Sequence, residues 1–220
     1  MKKIIISAAF TFLSLSFNSF SNDEIIKNPK KLYKEMHLEN KLDYKVFENA
    51  LTGYNRIKGK KTSLLTIIDY TKPSTEERFY VLNLQNKNVM FNTHVTHGKN
   101  SGKVMAVNFS NTLNSYKSSL GFFITDSEAY TGSNGYSLRL KGLEPGINSN
   151  AFSRNIVVHG ADYAKPDFIK GLGFLGRSLG CPAIPTEISK DVIDTIKNGT
   201  VLFIAGDDDK YFRKSRIVGS

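Results

Sequence analysis

The chain has 220 residues, 40% of them hydrophobic, 11% aromatic and 23% charged, with a formal net charge of +10. That length and composition allow one ordinary domain with its own core and exclude a disordered, collagen-like or bilayer-embedded polymer. Basic residues are scattered in runs such as "NPKK", "KGKK" and "YFRKSR" without interleaved aromatics. The surface therefore favours a polyanionic partner but does not specifically indicate nucleic acid.

Residues 1–21 read as a signal peptide. Lys2 and Lys3 precede the apolar run "IIISAAFTFLSLSF", which is short for a membrane span, and "SFS" ends in the small residues a signal peptidase accepts. The chain then begins near Asn22 with a formal charge of +8, exported and without stable membrane insertion. Residues 22–60 form a helical N-terminal extension. In "DYKVFENALTGY" the apolar Tyr44, Phe47, Ala50, Leu51 and Tyr54 recur at three- and four-residue steps, Asp43 is the expected N-cap, and Gly53 lies near the end.

Residues 61–206 change texture. "LLTIIDYT", "RFYVLNL", "NVMFNTHVT", "KVMAVNF", "LGFFIT", "YSLRLKG" and "NIVVHG" have strand composition and are separated by turn-forming stretches. So many short strands predict a mainly β sandwich or barrel. One helix interrupts them in "SKDVIDTIKNG", with Ser189 as its expected N-cap and Gly199 at its C′ position, before the buried strand "TVLFIAG". Residues 207–220 read as a polar, charged tail.

The only cysteine, Cys181, stands in "FLGRSLGCPAIP". Exported proteins mostly keep thiols in pairs, so this one is a buried inert thiol, an intermolecular bridge or a reactive group. A nucleophile needs a base, and His159 at the end of "NIVVHG" is the first candidate; a purely structural histidine in a turn is the alternative. Gly180 lets the main chain approach a carbonyl, so the N–H groups of Gly180 and Cys181 are candidate oxyanion donors. Pro182 biases Cys181 toward extended backbone, which points to an ion pair with histidine, not a helix dipole, as the support for a thiolate. Ser178 is placed to hydrogen-bond within the loop, and Arg177 to bind a carboxylate.

The run "IVVHGA … GRSLGCPAIP" resembles the signature of the L,D-transpeptidase (YkuD-type) catalytic domain, and in particular a divergent branch reading Gly-Arg-Ser-x-Gly-Cys-Pro-Ala. "VTHGKNSG", "SSLGFFIT", "YTGSNGYSLRLKGLEPGIN" and "DVIDTIKNGTVLFI" fall in the matching order, so the resemblance covers about Ser63 to Gly206, plus a helical N-terminal extension that this branch shares. It implies a periplasmic or cell-wall enzyme acting on peptidoglycan stem peptides through a Cys181 thioester resolved by an amine or by water, with no cofactor and no metal. Carried over by position, His159 is the base, Ser178 the motif hydroxyl, and Gly180 with Cys181 the oxyanion donors. Arg177 or Arg139 is expected to meet a stem carboxylate, and Tyr130, Gly132, Asn134 and Gly160 to line the substrate side. Leu179 stands where the family motif has histidine, and His97 is the expected compensating ring. Two other readings remain: a wall-binding module impaired by the Leu179 change, and a zinc hydrolase using Cys181, His159 and His97.

Overall fold

The computed structural model describes residues 28–219; the expected signal peptide and the start of the extension lie outside them. Among the described residues two helices come first, α1 (Pro29–Glu35) and α2 (Tyr44–Arg56). The Asp43 carboxylate accepts from the Lys45 and Val46 N–H groups, as the N-cap reading requires. Val46, Phe47, Ala50, Leu51 and Tyr54 turn inward at helical spacing. Gly53 sits where a Cβ would fall 2.0 Å from the Phe122 ring, so its missing side chain lets the helix lie directly on the sheet.

Nine strands follow: β1 (Leu64–Asp69), β2 (Phe79–Asn83), β3 (Asn88–Thr93), β4 (Gly121–Thr125), β5 (Tyr130–Gly132), β6 (Gly135–Gly142), β7 (Val157–Gly160), β8 (Ala183–Ile184) and β9 (Val201–Ala205). Their order in the sheet is β3-β2-β1-β9-β4-β6-β7-β8, with β5 paired to β6. Most neighbours are antiparallel, while β1–β9 and β7–β8 are parallel. The two ends of the sheet approach each other. Just past β3, the Thr96 N–H donates to the Ala183 carbonyl on β8 at 2.9 Å, and Gly98 forms a parallel bridge with Ser178. The fold is therefore mainly β, with a nearly closed, barrel-like sheet, and "GRSLGCPA" lies at the closing seam.

Helices α3 (Asp167–Leu172), α4 (Thr186–Ile196) and α5 (Asp209–Lys214) complete the chain. Four local expectations need correction. "KVMAVNF" is not a strand but part of an irregular segment, residues 94–120, which satisfies its backbone through turns and serine hydroxyls. Helix α4 starts three residues earlier than Ser189, which lies within it and donates to the Thr186 carbonyl; Pro185 is the N-cap. Its C-cap is Lys197, and Gly199 lies one residue beyond C′. The expected tail is ordered: Tyr211 of α5 is buried, and its hydroxyl and that of Ser215 donate to the buried Glu144 carboxylate.

Candidate active site

Strand register brings the motif residues together. On β6 and β7, Ser137 lies opposite His159 and Arg139 opposite Val157, so all four project from one face of the sheet. His159 is also in register with Ala183 of the parallel β8, two residues after Cys181. Cys181 is thereby level with Val157, whose N–H donates to Sγ at 3.4 Å, while the thiol donates to the Asn155 carbonyl at 3.6 Å. Cys181 and His159 are diagonal neighbours, which across a ladder means roughly 7–8 Å between backbones, within reach of a ring side chain.

Both groups are buried. Burial pushes the Cys181 thiol up, against lowering by the Val157 N–H and the Arg154 charge. Burial also pulls His159 down, and its bond to the Gly160 carbonyl opposes this only in part. Both displacements favour neutral thiol and neutral imidazole over a standing ion pair. Where the sequence pointed to an ion pair, these directions favour a proton resting on sulfur. His159 Nδ1 donates to the Gly160 carbonyl at 3.0 Å, which fixes the tautomer and leaves Nε2 as the basic nitrogen. Tyr163 packs edge-on beside the ring, with centroids 6.5 Å apart.

The turn before the cysteine is held by its own hydroxyl. Ser178 Oγ donates to the Cys181 carbonyl at 2.6 Å and accepts from the Gly180 N–H at 3.1 Å. The Gly180 amide is therefore occupied, a correction to the pair of oxyanion donors expected from sequence. The Cys181 amide makes no hydrogen bond to protein among the described residues and is the one free donor of that pair. Gly180 has φ +126°, and a Cβ there would meet the Lys117 carbonyl at 2.9 Å, so glycine is required for conformation and for space.

His97 is placed beneath this turn but is not available as a substitute ring. Its Nδ1 accepts from the fully buried Arg78 at 2.8 Å, and its Nε2 faces the Gly102 carbonyl at 3.3 Å. Burial and the Arg78 charge hold it at about 4, so it is neutral. The backbone of the same segment does the positioning: Ser178 N–H donates to the His97 carbonyl, and Lys99 N–H to the Ser178 carbonyl. Leu179 is 60% exposed. The zinc reading loses its third ligand, since both nitrogens of His97 face other partners; among the described residues no group of three His, Cys, Asp or Glu side chains could hold a metal.

Other expected residues are distributed around this centre. Arg177 donates to the Gly102 carbonyl at 3.2 Å and pins the 98–102 turn. Gly160 faces helix α4, where a Cβ would strike the Ser189 hydroxyl at 2.4 Å, so it admits the helix. Gly132 and Asn134 belong to the tight β5–β6 hairpin, and Tyr130 stacks on Arg139 at 4.6 Å. Sequence reading missed Arg154 and Asn155. Arg154 donates to the carbonyls of Ser110 and Lys117 and the hydroxyls of Ser115 and Ser119, clamping the 110–119 segment beside Cys181. Its Nε is buried without a partner. The only sequence signal was their place just before the His159 strand.

Residues 38–205 match the family model described as L,D-transpeptidase catalytic domain. That match takes in part of the helical extension as well as the β region. Among solved structures, an L,D-transpeptidase from Mycobacterium smegmatis is 13% identical, covering 66% of this chain and 59% of that one, with a TM-score of 0.38. One from Stackebrandtia nassauensis is 14% identical, covering 81% and 76%, at 0.39. One from Xylanimonas cellulosilytica is 12% identical, covering 67% and 62%, at 0.38. The chain spans about three-fifths of the length of the first of these. No curated protein sequence matches it.

Proposed function

We propose that this chain, which belongs to the L,D-transpeptidase catalytic-domain family, transfers the acyl group of a peptidoglycan stem peptide through a thioester on Cys181. The observation that carries this reading is the thiol held between the Val157 N–H and the Asn155 carbonyl, one ladder diagonal from a histidine whose Nε2 makes no hydrogen bond among the described residues. As sulfur attacks the carbonyl between an L-centre and a terminal D-residue, His159 Nε2 takes the thiol proton. The oxyanion accepts from the Cys181 N–H, and Arg154 lowers the cost of negative charge nearby. The C–N bond then breaks, and the departing amine takes the proton from His159. An incoming amine, or water, gives its proton to the same nitrogen, attacks the thioester and releases the sulfur, which is reprotonated. An amine crosslinks two stems and water trims one; both share the first half-reaction.

Such a substrate lies outside the cytoplasm, which agrees with the leader read at residues 1–21. No helix among the described residues is long and apolar enough to cross a membrane. Incubating purified sacculi with the protein and with Cys181→Ala, then identifying the muropeptides by mass, tests the reading. New crosslinked or shortened stems with the wild type alone are expected, together with a covalent carbapenem mass on Cys181. Identical muropeptide profiles for the two proteins would remove the acyl-transfer assignment.

A further inference from the structure

Beyond the thiol and its base, the same sheet face carries a basic cavity that the reaction as described does not use. It encloses about 280 Å³ and is lined by Lys61, Ile124, Asp126, Arg139, Lys141 and Phe152. None of its three cations is in an ion pair among the described residues. Asp126, its one acid, accepts from the Ser127 N–H at 2.8 Å.

Arg139 is the fixed member. Its guanidinium lies 4.6 Å from the Tyr130 ring centre and 5.3 Å from that of Phe152, so two aromatic rings hold it flat. One amino group, Nη1, donates to Asn155 Oδ1 at 3.1 Å. The Nε and Nη2 edge makes no hydrogen bond to protein among the described residues and presents the planar fork that suits a carboxylate. Asn155 joins this group to the nucleophile, because its carbonyl receives the Cys181 thiol. Asn155 also sits at φ +54°, in the left-handed region that asparagine tolerates better than most residues. Arg139 itself lies directly across the ladder from Val157, the other partner of the thiol.

We propose that this cavity binds a carboxylate of the donor peptide through Arg139, and that its occupation is coupled to acylation through Asn155. This rests on the acyl-transfer reading above and adds a specificity determinant to it. The donor is the partner indicated, because one residue contacts both the guanidinium and the attacking thiol. Fixing the carboxylate sets the distance between that anchor and the carbonyl that sulfur attacks.

The test compares a synthetic stem tetrapeptide carrying free carboxylates with the same peptide as its carboxamides, following the Cys181 thioester by intact mass. The full chain should acylate about 10- to 100-fold more efficiently with the carboxylate form, the range expected for charge-assisted hydrogen bonds. Arg139→Gln should lose that preference, Arg139→Lys should keep part of it, and Phe152→Ser, at an exposed ring, should weaken it without removing the charge. Equal handling of both peptides by the wild type, or an undiminished preference in Arg139→Gln, would overturn the proposal. A preference confined to the amine step would assign the cavity to the acceptor and overturn it equally. If no stem acylates Cys181, the acyl-transfer reading fails separately. The cavity is then judged by calorimetry of both peptides on Cys181→Ala and Cys181→Ala/Arg139→Gln, where it fails if the carboxylate form binds no tighter.

Discussion

At the scale of single residues, the chemistry turns on where one proton rests. Burial raises the Cys181 thiol and lowers the His159 imidazole, so both favour their neutral forms, and in the proposed reaction His159 takes the proton within the step instead of charging the sulfur beforehand. The pH dependence follows with a definite sign. Below the His159 pKa, which lies under its ordinary 6.5, the ring is protonated and cannot accept, so acylation should fall as pH drops through that value and hold above it. Iodoacetamide alkylation of Cys181, which needs no base, should be slow at pH 7 and climb about tenfold per pH unit toward the raised thiol pKa. Alkylation already at its plateau at pH 7 would instead establish a standing thiolate–imidazolium pair. The same scale settles Leu179. Its side chain is exposed and the turn is held by Ser178 and by the backbone of His97, so no ring is needed there to shape the loop.

Among the elements, helix α2 and the segment 94–120 do the most to place the site. Helix α2 lies against strand β4 through Gly53, whose absent Cβ leaves room for the Phe122 ring. Gly53→Ala sets two effects against each other: about 1 kcal/mol gained in helix propensity and about 1–3 kcal/mol lost to overpacking. Since a Cβ would fall 2.0 Å from the ring, overpacking should win, and urea unfolding should show net destabilisation. A more stable variant would mean the helix shifts freely on the sheet. The segment 94–120 has no strand of its own and is tied by hydroxyls. Ser118 accepts from the Gly98 N–H and donates to the Gly180 carbonyl, and Arg154 gathers the 110–119 stretch. "KVMAVNF" looked like a strand because its composition is right; its backbone partners turned out to be turns, a tertiary outcome that composition does not encode.

For the whole molecule, one core runs through helices and sheet. Leu32, Leu38, Phe47 and Leu51 from the N-terminal helical region belong to the same buried cluster as Ile67, Phe122, Leu140 and Phe203 of the strands. Each such side chain contributes about 1.5–3 kcal/mol on burial, against a total stability of about 5–15 kcal/mol. A chain beginning at Ser63 should therefore lose cooperative thermal unfolding, although every motif residue remains. A sharp transition in that truncated chain would show the helices to be a separable layer. The C-terminal segment is part of this unit too, since Tyr211 and Ser215 both donate to the buried Glu144, whose other partner is the Phe122 N–H on β4.

Much of this was legible beforehand, for local reasons. The period of α2 with its Asp43 cap, the β texture from residue 61, and the pairing of a His-Gly strand end with Gly-Cys-Pro are each written in short stretches of sequence. They sufficed to identify Cys181 and His159 as the pair to examine and Ser178 as the hydroxyl of the loop. What sequence did not carry was anything that depends on which segments meet. The seam between the end of β3 and β8 commits His97 to Arg78 and Gly102, and turns the motif serine onto the Gly180 amide. The ladder between β6 and β7 puts Arg139, distant in the chain, across from the residue that holds the thiol. Protonation belongs to that level as well: desolvation is a property of the packed surroundings, so only the closed sheet pushes the Cys181 thiol up toward its neutral form.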